Sequence, residues 1–238
     1  MNSQNTLSVK KAVLIFFIAT LWFFLLLLTL FPWMRSQFTF NGALYWFITG
    51  FFLFIPLFAY AIIAVKAEGN QSAEQIRQAL YIRKLTRQDF MAVIYGLLGV
   101  FISSGLIFGG SMLLHKYTGI RQLNTVPWFM EMSPFQGSDK LLLLVWLPMF
   151  FFNIVGEELL WRGYIQARLK IKNAWLLISL LWIGFHLPFG LDLLMILLPI
   201  TLILPYVFHK THNTLTGILI HGIYNGPIFV AVALGLMK

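Results

Sequence analysis

The chain has 238 residues, of which 59% are hydrophobic, 17% aromatic and only 11% charged. So much apolar surface exceeds what one soluble core of this length can bury, which excludes a soluble globular domain and makes the chain an integral membrane protein. The net charge of +9 fits basic connections facing anionic lipid rather than nucleic-acid binding, and the lack of cysteine excludes disulfides, thiolate metal sites and a cysteine nucleophile.

About 20 apolar residues cross a bilayer as a helix. By that measure the sequence predicts spans over 12–31, 43–65, 90–114, 141–168, 174–188, 191–208 and 214–236. The expected fold is all-α, a polytopic membrane bundle of seven transmembrane helices. The fourth is long enough to tilt or break near Pro148, and the fifth and sixth are short enough to leave room for an eighth span or a re-entrant turn. The first run is too long for a signal peptide and lacks a small-residue cleavage site, so it reads as a span.

Between the second and third spans, residues 66–89 carry Ile76, Leu80, Ile82 and Leu85 among basic side chains. Two readings stay open for them, a helix lying on the inner leaflet and an ordinary solvated connector. Residues 115–140, with Pro127, Trp128, Phe129 and Pro134, read as an external interfacial segment. The whole of 1–238 is one membrane domain, with 1–139 as accessory spans and connector and 140–238 as the core that bears the polar groups.

Basic residues orient this layout. Lys10, Lys11, Lys66, Arg77, Arg83, Lys84, Arg87, Arg168, Lys170, Lys172 and Lys210 fall on one side, against Arg35, Lys116, Arg121, Lys140 and Lys238 on the other. The richer side is cytoplasmic by the positive-inside rule, which places the N-terminus in the cytoplasm of a multi-pass plasma-membrane protein. Arg168, Lys170 and Lys172 then flank a cytoplasmic entrance for basic or amphipathic peptides.

Three of the later spans place polar groups at membrane depth, where charge is costly and is retained for chemistry or ion traffic. They are Glu157, Glu158 and Arg162; Trp182 and His186; and His221 with Asn225. A spacing of four puts Glu158 and Arg162 on one helix face, and likewise His221 and Asn225. Arg162 can therefore fold onto Glu158 as a structural ion pair, leaving Glu157 without that partner and free for general acid or base work. A histidine near Glu157 can polarise a water, and a histidine with an asparagine can donate to an oxyanion, which together suffice for peptide hydrolysis. Glu157, His186 and His221 could equally bind zinc or another divalent metal with an open fourth position, and the sequence leaves metal-bound and metal-free water both open. Each group alone also has an ordinary role as a helix-packing partner.

Other intramembrane chemistries fit poorly. No H-E-x-x-H occurs, and Ser104 lacks the glycine two residues earlier that a nucleophile turn needs, Ile102 standing there. His115, His209 and His212 sit at helix ends or in loops and read as solvated, and Asp192 as a helix-entry charge.

E-E-x-x-x-R at Glu157, Glu158 and Arg162, the aromatic-x-x-x-H of Trp182 and His186, and H-x-x-x-N at His221 and Asn225 resemble, in order and spacing, the CAAX protease and bacteriocin-processing family of intramembrane endopeptidases, also called the Abi family. The resemblance covers about residues 140–230. It implies that Glu157 activates water with His186, that His221 and Asn225 line the oxyanion site, and that Glu158, Arg162 and Trp182 support them. Family members are described as metalloproteases, and a glutamate-dependent mechanism without a tightly held metal has also been argued. Trp182 departs from the phenylalanine usual at that position, which bears on cavity shape. The implied partner is a peptide or protein substrate at the membrane; the composition suggests a bacterial protein, for which a prenylated substrate is doubtful. The rival readings are a non-proteolytic peptide-binding immunity or regulatory protein and a transporter or proton relay.

Overall fold

A computed structural model describes residues 6–130 and 133–236. Lys238, counted above among the outer charges, lies outside the described residues. Nine α-helices occur among them: α1 (Val9–Leu25), α2 (Phe31–Gln37), α3 (Gly42–Ala67), α4 (Ala73–Ala79), α5 (Arg87–Thr118), α6 (Leu142–Glu157), α7 (Ala174–Phe185), α8 (Leu191–Thr211) and α9 (Thr214–Ala233). Six helical segments are long and apolar enough to cross a bilayer, one fewer than the seven expected spans, and Ala174–Phe189 is a shorter apolar helix. The protein is an all-α, multi-pass membrane bundle, as the apolar runs predict.

Local sequence explains where the helices begin. Asn41 accepts the Ala43 N–H at the start of α3, Ser72 and Gln75 form a capping box on α4, Thr86 and Asp89 form one on α5, and Asn213 caps α9 through the Leu215 N–H. Several spans outrun their apolar cores, because these capping residues lie in the polar flanks. α1 and α2 are one rod joined by a π turn over Leu26–Leu30, just before Pro32, whose missing N–H and ring disfavour regular i→i−4 bonding there.

Of the tilt or break that the fourth span's length allows near Pro148, no break occurs. α6 runs through that proline, and the helix widens instead over Glu158–Gln166, a π-helical stretch in which all nine residues are buried. Its end is marked by the Ala167 N–H reaching the Arg162 carbonyl, an i→i−5 bond. This wide segment is the centre of the bundle, in contact with α3, α6, α7, α8 and α9. Around it, α3 packs along α6, α5 along α8 and α9, and α7 along α8.

The burial pattern is that of a protein solvated by lipid. Large apolar side chains such as Phe17, Ile63, Leu106, Leu144 and Leu180 are exposed, while Thr49, Glu157, Glu158, Arg162, Thr201 and Thr216 are buried.

At the basic end, where 66–89, 168–173 and 209–214 meet, the connector packs on the bundle at the turn around Leu80 and Tyr81, while most of its remaining residues are exposed. Leu80 is fully buried, its carbonyl accepts the Thr214 hydroxyl at 2.6 Å, the Tyr81 carbonyl accepts the Thr214 N–H, and Asn213 bonds Asp89 and the Arg83 backbone. Gly163 lets the π segment press against this turn, since a Cβ there would stand 2.7 Å from the Leu80 carbonyl oxygen. Arg168 is not a free rim charge. It is 3% exposed, paired with Glu68 at 2.7 Å and bonded to the Ala79, Gly163 and Tyr164 carbonyls, so only Lys170 and Lys172 of the expected entrance cations remain exposed.

At the opposite end, the segment after α5 packs onto the bundle through part of its length. Phe129 and Phe135 are buried, the Trp128 indole donates to the Pro188 carbonyl at 2.8 Å, and Arg121 pairs with Asp192 at the entry of α8.

Candidate active site

α6 delivers Glu157 at its last residue, the π segment carries Glu158 and Arg162, α7 ends on Trp182 and His186, and α9 supplies His221 and Asn225. A π turn is uncommon and concentrates at functional sites, because it re-aims side chains that a regular helix would hold apart.

Glu157 is buried and is not without partners. The Asn153 side-chain amide donates to its Oε1 at 2.8 Å, and its Oε2 receives two indole N–H groups, Trp182 at 2.6 Å and Trp161 at 3.3 Å. Asn153 and Trp161 lie one turn before and one turn after Glu157. Helical spacing places them on its face, and the motif reading missed them.

Glu158 is fully buried and makes two contacts. Its Oε1 stands 3.2 Å from an Arg162 nitrogen and accepts from His221 Nδ1 at 2.9 Å. The Arg162 pairing is one of proximity rather than aligned hydrogen bonding, since all three guanidinium nitrogens and Glu158 Oε2 are buried without a hydrogen-bond partner among the described residues. Arg162 instead lies over the Trp182 ring at 3.5 Å, a cation–π contact.

The two imidazoles flank the same indole. His186 and His221 stand edge-on to Trp182 at 5.2 Å and 5.5 Å between ring centres, and His186 is within electrostatic reach of Glu157, His221 and Arg162. His186 Nδ1 lies 2.8 Å from the Trp182 carbonyl oxygen. A carbonyl only accepts, so Nδ1 carries the hydrogen and the neutral ring keeps its lone pair on Nε2. His221 Nδ1 faces a carboxylate, which also only accepts, so it too carries a hydrogen. Asn225, one turn beyond His221, is half-buried and its side chain makes no hydrogen bond among the described residues.

The structure thus gathers Glu157, Glu158, Arg162, Trp182, His186 and His221 around one indole and leaves Asn225 beside them. It pairs His221 with Glu158, a partnership between spans that no sequence spacing reveals. Among the described residues no three histidine or carboxylate side chains are grouped to hold an ion, and Oε2 of Glu157 faces two N–H donors, which cannot face a cation. Two clefts open at the basic end. One of about 300 Å³ lies between Lys11, Tyr60, Ile63, Tyr164 and Arg168, and one of about 230 Å³ between Arg83, Lys84, Lys210 and Asn213; neither is lined by a motif residue.

Comparison with known proteins bears on the segment that holds this cluster. Residues 139–226 match the Rce1-like family, described as type II CAAX prenyl endopeptidase Rce1-like. The family suspected from the three motifs is the family that matches, and the Rce1-like segment contains all the motif residues from Glu157 to Asn225. No curated protein and no solved structure matches the chain significantly.

Proposed function

We propose that the protein is an intramembrane endopeptidase that hydrolyses a peptide bond in a membrane-associated or hydrophobic peptide, with its N-terminus and basic end on the cytoplasmic side of the plasma membrane. The observation that carries this reading is that one tryptophan, Trp182, holds a buried Glu157 through its indole N–H and His186 through its carbonyl, whose bond to Nδ1 leaves Nε2 free to orient a water. Supporting it, the matched family is described as an endopeptidase.

In this reading Glu157 takes a proton from water as the water oxygen attacks the peptide carbonyl carbon, and His186 Nε2 holds the water in line. His221, bonded to Glu158 through Nδ1–H, takes part as the doubly protonated imidazolium, whose Nε2–H donates to the developing oxyanion, and the Asn225 amide donates a second hydrogen bond. Glu157 then returns the proton to the leaving nitrogen as the C–N bond breaks. Arg162 holds the adjacent Glu158 charge in place. No step here is routed through a metal.

The test is cleavage of membrane-associated and lipidated peptides by the purified chain in detergent and in liposomes. Glu157→Ala and His186→Ala are expected to abolish cleavage while retaining wild-type unfolding behaviour, and Asn225→Ala to reduce kcat by roughly 10²- to 10³-fold. Undiminished cleavage by the first two variants ends the proposal. A cell-based phenotype rescued in full by a Glu157→Gln/His221→Ala double variant would favour a non-proteolytic, peptide-binding role. Peptides that accumulate uncut in membranes carrying Glu157→Ala identify the substrate.

A further inference from the structure

One side chain touches Glu157, Arg162 and both imidazoles of the site. The Trp182 indole donates to Glu157, lies under Arg162 and stands edge-on to His186 and His221, and its backbone carbonyl fixes the His186 ring. It is fully buried. We propose that Trp182, assisted by Trp161 and Asn153, is a positioning residue that divides the two oxygens of Glu157 between different tasks, Oε2 serving as the anchor and Oε1 as the oxygen that takes a proton from water. This assignment rests on the hydrolytic reading above.

The argument is one of lone pairs. Each carboxylate oxygen has two in-plane acceptor sites. Both sites of Oε2 are engaged by indole N–H groups at 2.6 and 3.3 Å, whereas Oε1 accepts only from Asn153 at 2.8 Å and keeps one site open. When water attacks, its O–H bond breaks toward that open site, its oxygen bonds the carbonyl carbon, and the carbonyl π pair moves to oxygen. The two indoles come from different places, Trp161 from the π segment and Trp182 from α7, so the carboxylate plane is fixed by two elements and cannot rotate to exchange its oxygens.

Arg162 strengthens the anchor without touching Glu157 through a hydrogen bond. Its guanidinium, 3.5 Å above the indole, draws electron density from the ring and makes the N–H a better donor, so the charge acts on Glu157 through Trp182. This explains the face-on placement of a buried guanidinium that makes no hydrogen bond of its own. The phenylalanine common at this position in the resembling family has no N–H, so the anchor belongs to this chain's tryptophan.

The experiment uses the full chain in detergent or bilayer with ¹⁵N-indole tryptophan. The chain has eight tryptophans, and Trp161→Phe and Trp182→Phe assign the two resonances concerned. In Glu157→Gln a neutral amide replaces the carboxylate, and both indole N–H protons are expected to move upfield. In Trp182→Phe, which keeps an aromatic ring beneath Arg162, kcat is expected to fall roughly 10- to 100-fold at unchanged KM. A Trp182 resonance indifferent to Glu157→Gln overturns the anchor, and so does a wild-type kcat in a folded Trp182→Phe. Should that variant fail to fold, the resonance shift decides. A wild type that cleaves no peptide overturns the hydrolytic reading, and with it the role of Oε1, even where the indole resonances shift as expected.

Discussion

Gly217 lies so close to the Glu158 carboxylate that a Cβ in its place would collide with Oε2. Gly217 is one turn before His221 on α9, and Glu158 bonds His221 across the helix interface. The missing side chain is therefore what allows the π segment and α9 to approach until carboxylate and imidazole meet. Glu158 cannot swing aside freely, being fully buried between Arg162 and His221.

Gly217→Ala is accordingly expected to push Glu158 off His221 and lower kcat by roughly 10²-fold, the usual cost of about an ångström of misplacement, with a stability loss of about 1–3 kcal/mol from overpacking. Gly222→Ala on the same helix is the control. Its Cβ would meet only Ile154 Cγ2 at 3.8 Å, an ordinary contact, so activity close to wild type is expected. Equal kinetics for the two variants would show that the close approach at Gly217 has no part in placing the carboxylate.

The pairing of Arg168 with Glu68 has a different expected signature, in stability rather than catalysis. The guanidinium is almost wholly buried and clamps the end of α3 to the end of the π segment. Removing one partner leaves the other charge buried and uncompensated, which costs about 3–5 kcal/mol. Glu68→Met and Arg168→Met should each destabilise the detergent-solubilised protein in a chemical unfolding series, and the double variant should be less destabilised than the sum of the two. Additive losses would show that the ions are not coupled. Cleavage well below the unfolding transition should stay close to wild type, because neither residue belongs to the site.

The particular residues show why some of this architecture could be read from the chain and some could not. Six of the seven expected spans were legible because lipid demands a long apolar run whatever the tertiary contacts, and the shortest, 174–188, appears as the short apolar helix Ala174–Phe189. The ion pair of Glu158 with Arg162 was legible from a spacing of four. Pro148 misled because a membrane helix tolerates a proline when neighbouring helices pack around it, whereas the widening at Glu158–Gln166 has no sequence mark of its own. Leu80 and Ile82 misled because apolar side chains facing protein look the same in sequence as those facing lipid. Asn153 and Trp161 were within reach of a helical-face reading centred on Glu157, but the Trp182 and His221 partnerships join separate spans and exist only once the bundle has formed.

His212 makes the stability of the basic end depend on pH. It caps α8 in the left-handed region at φ 47°, its N–H bonding the Phe208 carbonyl at 2.8 Å, and it packs beside Tyr81, Phe208 and His209. Partial burial, with the neighbouring His209 and Arg83, holds its pKa below the ordinary histidine value, which is about 6.5. The folded protein therefore binds this proton less readily than the unfolded chain. Its contribution to stability is fully present above the unfolded value and is lost as pH falls through the lower folded one. Unfolding temperatures measured from pH 7.5 down to pH 5 should thus decline more steeply for the wild type than for His212→Asn, since asparagine also tolerates the left-handed conformation but does not titrate. Parallel slopes for the two proteins would show that His212 is not the group responsible.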